Sequence, residues 1–429
     1  MLVESWLVRA ARTRPDHPAL VTAQSTLTYA QLLAAAQAAD LPAGAGERVA
    51  LSLPVGEGFA VALHACLLRG AVAVPVDARL GEVERSAREA ACAHAVREPL
   101  GAGSPSAPAT SHDLSAPALV VHTSGSRGAG TPVELTFANW LWSALGSSVA
   151  LGHPREERWL CALPLSHVGG LSVLLRAVIG TTTVVLHQRF GTDAVLGELM
   201  GVGGPTAVSL VPTTLARLLD AGLRDPPALR VALTGGAPIP PALLERARAA
   251  GVPAVATYGL TEACSQVATD GAPLFCTRVR IEGGEILVAG PTVAPGAVDA
   301  DGWLHTGDLG TLDAEGRLTV TGRAADIIVT GGENVAPGEV EAVLEAHPAV
   351  AEAAAHGRPD PQWGEAVVAT VVLRAPAGEA ELIAHCAGAL ATFQVPKAIA
   401  FVDALPRTAS GKVRRGELDR RGPRAGQDG

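Results

Sequence analysis

The sequence predicts an α/β protein with a large N-terminal domain of mostly parallel sheets flanked by helices, a β-rich subdomain, and a small α+β C-terminal domain. Three observations predict it. Short apolar runs alternate with helical stretches through the first half of the chain, the pattern of strands joined by helical crossovers. From about Glu282 the texture changes to short β segments, EILVAG, WLHTGDLG and GRLTVTG, separated by turn residues. Beyond Arg323 a compact α/β stretch follows, and 429 residues are too many for one ordinary domain. The expected boundaries are 1–323 for the large domain, 324–420 for the small one, and 421–429 for a disordered tail.

Residues 1–17 read as an amphipathic helix, followed by a strand pair around Ala19–Val21 and Leu27–Tyr29. A helix over Gln31–Ala39, a strand at Val49–Leu53, a helix over Gly58–Gly70 and a strand at Ala73–Val76 continue the alternation. Residues 101–116, GAGSPSAPATSHDLSA, read as an exposed low-complexity linker. Further strands are expected at Ala118–Val121, Trp159–Leu163, Thr182–Leu186, Ala207–Val211, Arg230–Thr234 and Ala254–Thr257. No internal repeat interrupts the series.

Composition excludes several classes of function. A formal charge of −9 advertises no basic surface for nucleic acid or anionic lipid. No uninterrupted run of about 18 apolar residues is present, as insertion into a membrane would need. Glu4 falls early and no basic start precedes an apolar core, which is not the pattern of a signal peptide. The six cysteines are scattered without a C-x-x-C pair, so reduced thiols are expected rather than zinc or a disulfide framework. A cytoplasmic protein is expected, and the sequence is compatible with a homodimer.

The stretch ALVVHTSGSRGAGTPVELT, Ala118 to Thr136, carries the first chemical signal. A buried strand runs into small, flexible and hydroxylated residues: Thr123, Ser124, Gly125, Ser126, Arg127, Gly128, Gly130 and Thr131. Glycines let backbone N–H groups converge on an anion, and the hydroxyls add donors for phosphate oxygens. Read alone, the stretch is equally an ordinary Gly/Ser surface loop, and it lacks the Gly-Lys-Ser/Thr of a Walker A loop. Lysine usage is a second signal: of 33 basic residues only Lys397 and Lys412 are lysines. Arginine does not replace a compact ammonium that must reach a single oxygen.

The loop has company in a fixed order: LPLSHVGG (163–170), GGAP (235–238), YGLTE (258–262), HTGDLG (305–310), GRAADIIVTGGENVAPGEVE (322–341) and PRTASGKVRR (406–415). LTYAQL (27–32) and LLRGAVAVPVD (67–77) fit the same series. This set resembles the adenylate-forming superfamily of acyl- and aryl-CoA ligases, amino-acid adenylation domains and luciferases, over nearly the whole chain. The resemblance implies a carboxylate that attacks the α-phosphate of ATP, and a thiol that then displaces AMP from the acyl-adenylate. ATP, Mg²⁺ and coenzyme A are the implied cofactors, and a small carboxylic acid the substrate. By resemblance, Thr123, Ser124 and the glycine loop hold the outer phosphates, Thr261 contacts the α-phosphate, and Glu262 holds Mg²⁺. Outside that context Thr261-Glu262 reads as a helix N-cap. Gly235, Gly236, Ala237 and Pro238 would form the wall for adenine, Tyr258, followed by Gly259, would stack on it, and Asp308 would take the ribose hydroxyls. Arg323 would reach ribose or phosphate, and Lys412 would bridge carboxylate and α-phosphate. The small domain is then a mobile lid, with Gly331, Gly332, Glu333 and Asn334 facing the thiol in its second orientation. No role falls to Lys397.

Two positions depart from the family pattern. Thr131 stands where the loop normally carries a lysine, which makes Arg127 the expected substitute, and Ala325 stands at the usual hinge Asp or Lys. His167 is followed by Val168, Gly169 and Gly170 with no acid to hold an α-ammonium, so amino acids are not expected substrates. The segment PLSHVGGLSVLLRAVIGTTTVVL looks most like that of the o-succinylbenzoate–CoA ligases of menaquinone biosynthesis. In them a basic residue sits nine places after the histidine, here Arg176, which would anchor the substrate's second carboxylate. His167, Gly170 and Ser172 would line the acyl pocket. Arg176 also reads as a helix-surface arginine. Other aryl- or short-chain acyl-CoA ligases, and a nucleotide-binding pseudoenzyme motivated by Thr131 and Ala325, remain the alternatives.

Overall fold

The computed structural model describes residues 1–103, 110–123, 130–407 and 413–418. They form two compact units: Met1–Gly236, Leu244–Val279 and Val288–Leu304 make the first, and Ala237–Leu243, Arg280–Leu287 and the chain from His305 onward make the second. The expected boundary at residue 323 falls inside the second unit.

The first unit is built on two sheets. The larger has nine strands, of which Ala254–Leu260, Val231–Gly235, Ala207–Leu210, Arg158–Cys161, Thr183–Leu186 and Pro18–Val21 lie side by side and parallel. Ser265–Thr269 and Thr26–Thr28 continue it antiparallel on either side. The smaller has five strands, with His94–Val96, Arg48–Leu51, Val72–Pro75 and Pro117–His122 parallel and Pro132–Thr136 antiparallel. Parallel strands covered by helices on both faces read as continuous apolar runs, and Val184, Val185 and Leu186 are all buried. Two helices start on reciprocal caps: Thr28 with Gln31, and Thr136 with Asn139.

The second unit holds a five-stranded sheet in which Val350–Asp360 and Gly364–Leu373 form a long antiparallel pair. Ala398–Phe401 runs parallel to Gly364–Leu373, and the helices Pro337–Ala346 and Glu379–Ala387 supply Val340, Leu344 and Leu382 to its core. Leu304–Leu312 pairs antiparallel with Leu318–Arg323 in the β-rich part expected from sequence.

Three local expectations are corrected. The N-terminus is not one helix: Leu2–Glu4 is a strand, and the helix covers Trp6–Thr13, stopping short of Arg14, where the ring of the following Pro15 disfavours helical geometry. The strand's partner is Ser111–Asp113, so the 101–116 stretch is not an exposed linker throughout. Tyr29 is no strand residue either. It opens the next helix, fully buried, and its hydroxyl donates to the carbonyls of Ala177 and Thr182 at 2.8 and 2.6 Å. The tail 421–429 lies outside the described residues.

The strand Ser111–Asp113 also buries His112, which stacks on Phe137 and accepts from the Trp6 backbone N–H at 3.4 Å. Burial pushes both His112 and His64 down to about 4. Both imidazoles stay neutral in the fold while the unfolded chain takes up protons near pH 6.5. Their contribution is therefore intact above that pH and is lost as pH falls toward 4. Denaturant melts should lose about 2 kcal/mol per histidine between pH 6.5 and 4.5. His64→Met should flatten that slope, and an unchanged slope would remove His64 as the cause.

Candidate active site

The parallel strands of the larger sheet deliver the motifs to one edge, because strands that share a direction end on the same side. LPLSH follows Arg158–Cys161, GGAP begins at the end of Val231–Gly235, and YGLTE closes Ala254–Leu260, with Gly235 in register with Thr257. Backbone passes close to backbone here. A Cβ on Gly235 would lie 2.6 Å from the Thr257 carbonyl oxygen, and one on Gly259 would lie 1.6 Å from that of Ser265. Gly236 has φ +82, the left-handed region that glycine tolerates. Tyr258 is half-buried beside the register shift at Gly259.

After Leu260 the chain makes a single 3₁₀ turn, Thr261–Ala263, then passes through Cys264 at φ 52 into the strand Ser265–Thr269. Thr261-Glu262 is therefore not an α-helix cap. It is a tight link between antiparallel strands, held by the Ala294 N–H, which donates to the Glu262 carbonyl at 2.8 Å. Glu262 is half-buried, and among the described residues its carboxylate is given no ion pair. No group of three or more His, Cys, Asp or Glu side chains gathers as a metal site among the described residues. One open carboxylate suits Mg²⁺, which keeps waters and takes its remaining ligands from phosphate.

The glycine loop springs from the smaller sheet. Its neck is closed by Thr123, whose N–H donates to the Thr131 carbonyl at 2.9 Å and whose hydroxyl accepts from the Thr131 N–H at 3.1 Å. Among the described residues no acceptor takes the Thr123 hydroxyl proton. A Cβ on Gly130 would sit 1.7 Å from the Thr123 carbonyl oxygen, so only glycine fits. Ser124, Gly125, Ser126, Arg127 and Gly128 lie outside the described residues, as does Lys412.

His167 occupies the N-cap position of the helix Val168–Gly180 and is half-buried. Ser166, just before it, donates to Asp77 at 3.0 Å, and Arg79 grips both oxygens of the same carboxylate at 2.9 and 2.6 Å. Burial by itself raises the Asp77 carboxyl, but the Arg79 and Ser166 hydrogen bonds hold it at about 2. This pins the histidine loop to the end of Val72–Pro75. Gly170 lets the helix approach that loop, since a Cβ there would lie 2.4 Å from the Pro164 carbonyl oxygen. The buried Ser172 hydroxyl donates to the Gly169 carbonyl at 3.0 Å.

Arg176 is not on the helix surface. It is 5% exposed, with its guanidinium 4.4 Å from the Trp159 ring centre. Nη2 donates to the Gln266 side-chain oxygen at 3.0 Å, while Nε and Nη1 have no partner among the described residues. Burial lowers its pKa to about 10, so it stays charged at neutral pH. Glu157, the acid that acts on it through space, is itself paired with Arg230. Motif reading missed Trp159 and Gln266 because both sit in unremarkable strands, Gln266 being 90 residues from Arg176 in sequence.

In the second unit Asp308 is 7% exposed and faces Arg323 across the strand pair, with Arg323 Nε donating to Oδ1 at 2.7 Å. Ala237 and Pro238 belong to the segment grouped with this unit. Gly331 and Gly332, at φ 60 and 87, form the two-residue turn between Ile328–Thr330 and Glu333–Val335, and present Glu333 and Asn334 to solvent. Ala325 lies in the 3₁₀ turn Ala324–Asp326. Both ends of the stretch that carries Lys412 are fastened within this unit. Arg407 pairs with Glu352 at 2.9 Å, and Arg415 with Glu341 and Asp326.

Comparison with known proteins matches this arrangement. The family model described as AMP-binding enzyme matches residues 7–97 and 85–297, and that for the AMP-binding enzyme C-terminal domain matches residues 339–412. The chain belongs to the AMP-binding enzymes. Within them it is 37% identical to the 2-succinylbenzoate–CoA ligase of Bacillus subtilis, over 97% of this chain and 98% of that one. It is likewise 37% identical to that of Bacillus licheniformis, over 96% and 99%. The o-succinylbenzoate CoA synthetase of Bacillus subtilis in complex with the acyl-adenylate intermediate OSB-AMP superposes with a TM-score of 0.90 at 36% identity, covering 97% of this chain and 98% of that one. The same enzyme in complex with ATP and magnesium ion gives 0.89 at 35% identity, over 98% and 100%. No helix among the described residues is long and apolar enough to cross a membrane.

The loop neck generates a direct test. Gly130→Ala should raise the Michaelis constant for ATP by about tenfold or more, since the added carbon forces the neck open. Far-ultraviolet circular dichroism should be unchanged. An unaltered ATP dependence would show that the neck does not position the loop.

Proposed function

We propose that this chain is an ATP-dependent, AMP-forming acid–CoA ligase whose acid is 2-succinylbenzoate. The observation that carries the acid is Arg176: a buried, charged guanidinium which, among the described residues, has open N–H donors and no carboxylate paired to it, on the helix that follows His167. A buried charge without a counter-ion is destabilising, and the second carboxylate of a diacid would complete it. An acid with one carboxylate would leave it unmet. The likeness to 2-succinylbenzoate–CoA ligases over nearly the full length supports the same reading.

In the first half-reaction a carboxylate oxygen bonds to the α-phosphorus of ATP, and the bond to the bridging oxygen breaks, releasing pyrophosphate. Thr123 and the loop donate to the outer phosphates, Thr261 to the α-phosphate, and His167 shields and orients the reacting carboxylate. Lys412 neutralises charge between carboxylate and α-phosphate, an electrostatic role that needs a compact cation. Glu262 would hold Mg²⁺, which supplies further neutralisation on the phosphates when bound. Asp308 takes the ribose hydroxyls, and Tyr258 with the GGAP backbone borders adenine. In the second half-reaction the thiol sulfur of coenzyme A bonds to the acyl carbon and AMP departs with the oxygen. The Gly331–Asn334 hairpin faces the thiol at that stage, with the segment from 324 to 420 turning as a lid about the turn at Ala324–Asp326. The free state of all six cysteines fits the cytoplasmic pools of ATP and coenzyme A.

Pyrophosphate release tests the reading, measured with ATP and Mg²⁺ across 2-succinylbenzoate, benzoate, a medium-chain fatty acid and several amino acids, with and without coenzyme A. Turnover on 2-succinylbenzoate is expected, and turnover on another acid alone would discard this substrate. Lys412→Ala should slow adenylation by about a hundredfold or more while sparing thioester formation from supplied acyl-adenylate. Arg176→Ala should raise the Michaelis constant for 2-succinylbenzoate far more than for 4-oxo-4-phenylbutanoate. Equal effects would remove Arg176 as the anchor.

A further inference from the structure

We propose that Gln266 is a positioning residue that sets the acid specificity of this enzyme, by holding the Arg176 guanidinium with a neutral acceptor and so keeping its charge for the substrate. The inference rests on the diacid reading above. It goes beyond it by assigning specificity to a second side chain, one that contacts Arg176 and not the reacting atoms.

Gln266 is 2% exposed on the strand Ser265–Thr269. Its side-chain oxygen accepts from Arg176 Nη2 at 3.0 Å, and its Nε2 donates to the Thr269 hydroxyl at 3.2 Å. The two bonds fix which way the amide points, because only the oxygen can accept from a guanidinium. The Trp159 ring lies against the same guanidinium, and its Nε1 is held in turn by Ser209 at 2.9 Å. Arg176 is thus restrained from two directions while Nε and Nη1 stay open.

The choice of amide matters electrically. A Glu at this position would make the same hydrogen bond and also cancel the charge, as Glu341 does for the half-buried Arg415. An apolar residue would leave one more buried N–H unmet and the guanidinium free to turn. Gln satisfies the donor and leaves the positive charge uncompensated. The ligand class that answers such a site is a carboxylate on the far end of the acid from the one activated. Gln266 also lies four residues after Glu262 on a continuous turn and strand, so the group that aims the anchor is built on the same short stretch as the proposed metal carboxylate.

The experiment measures initial rates of pyrophosphate release for 2-succinylbenzoate and for 4-oxo-4-phenylbutanoate, which lacks the ring carboxylate. It compares the parental protein with Gln266→Leu and Gln266→Glu. The parental protein should prefer the diacid. In Gln266→Glu the Michaelis constant for the diacid should rise by about tenfold to a hundredfold, the worth of a hydrogen-bonded charge. That for the monoacid should stay within about twofold, and kcat on both acids should hold within a few-fold. Gln266→Leu should shift the diacid in the same direction by a smaller factor. Should Gln266→Leu fail to fold, Gln266→Glu carries the test alone, since it keeps the volume and the hydrogen bond and changes only the charge. Equal changes for both acids, or none, would overturn the role of Gln266 while leaving the substrate reading intact. A parental protein without preference for the diacid would overturn both.

Discussion

At the strand ends of both sheets in the first unit, backbone must pass nearer to backbone than a Cβ permits. Gly130 sits on Thr123, Gly170 on Pro164, Gly235 on Thr257 and Gly259 on Ser265, each facing a carbonyl oxygen at a distance no side chain tolerates. These contacts close the neck of the anion loop, seat the helix behind His167, and let GGAP and YGLTE end side by side. With any other residue at one of these places, the strand ends would have to separate. The donors and hydroxyls they present would then lose their common edge.

Charge is handled differently in different parts of the molecule. Asp77 is fully engaged by Arg79 and Ser166, Arg415 by Glu341 and Asp326, and Glu157 by Arg230. Each of these pairs fixes a loop or a chain segment, which is the usual use of a buried ion pair. Arg176 is handled otherwise, met by a ring face and a neutral amide. The contrast separates charges that hold the fold from a charge kept for a ligand. On the proposed reading, specificity depends on what is withheld from Arg176 as much as on Arg176 itself.

The second unit shows the same economy in its backbone. A Gly-Gly turn with both φ angles positive makes the shortest hairpin compatible with strand twist, and it puts Glu333 and Asn334 at the surface. The Arg407 and Arg415 pairs secure the chain on each side of the segment proposed to carry the adenylation lysine.

The order of the motifs, the alternation of strand and helix, and the glycines were legible in the sequence, because each is a local requirement. A parallel strand buried on both faces must be an apolar run, and a backbone crossing without room for Cβ must be glycine. One N-terminal feature was not legible. Nothing within Leu2–Glu4 says that it will pair with Ser111–Asp113, since the partner that makes it a strand lies more than a hundred residues away. The same limit hid the acid anchor's surroundings. Arg176 could be placed by its spacing from His167, but the sequence alone left open the reading of a surface arginine. Its burial, the Trp159 ring and the Gln266 amide 90 residues distant came only from the packing of strands onto the helix. The sequence by itself determined which chemistry the chain carries, through residue types that local geometry demands. Tertiary structure alone decided which charges are compensated, because compensation in a low-dielectric interior is a property of contacts between segments that the sequence keeps apart.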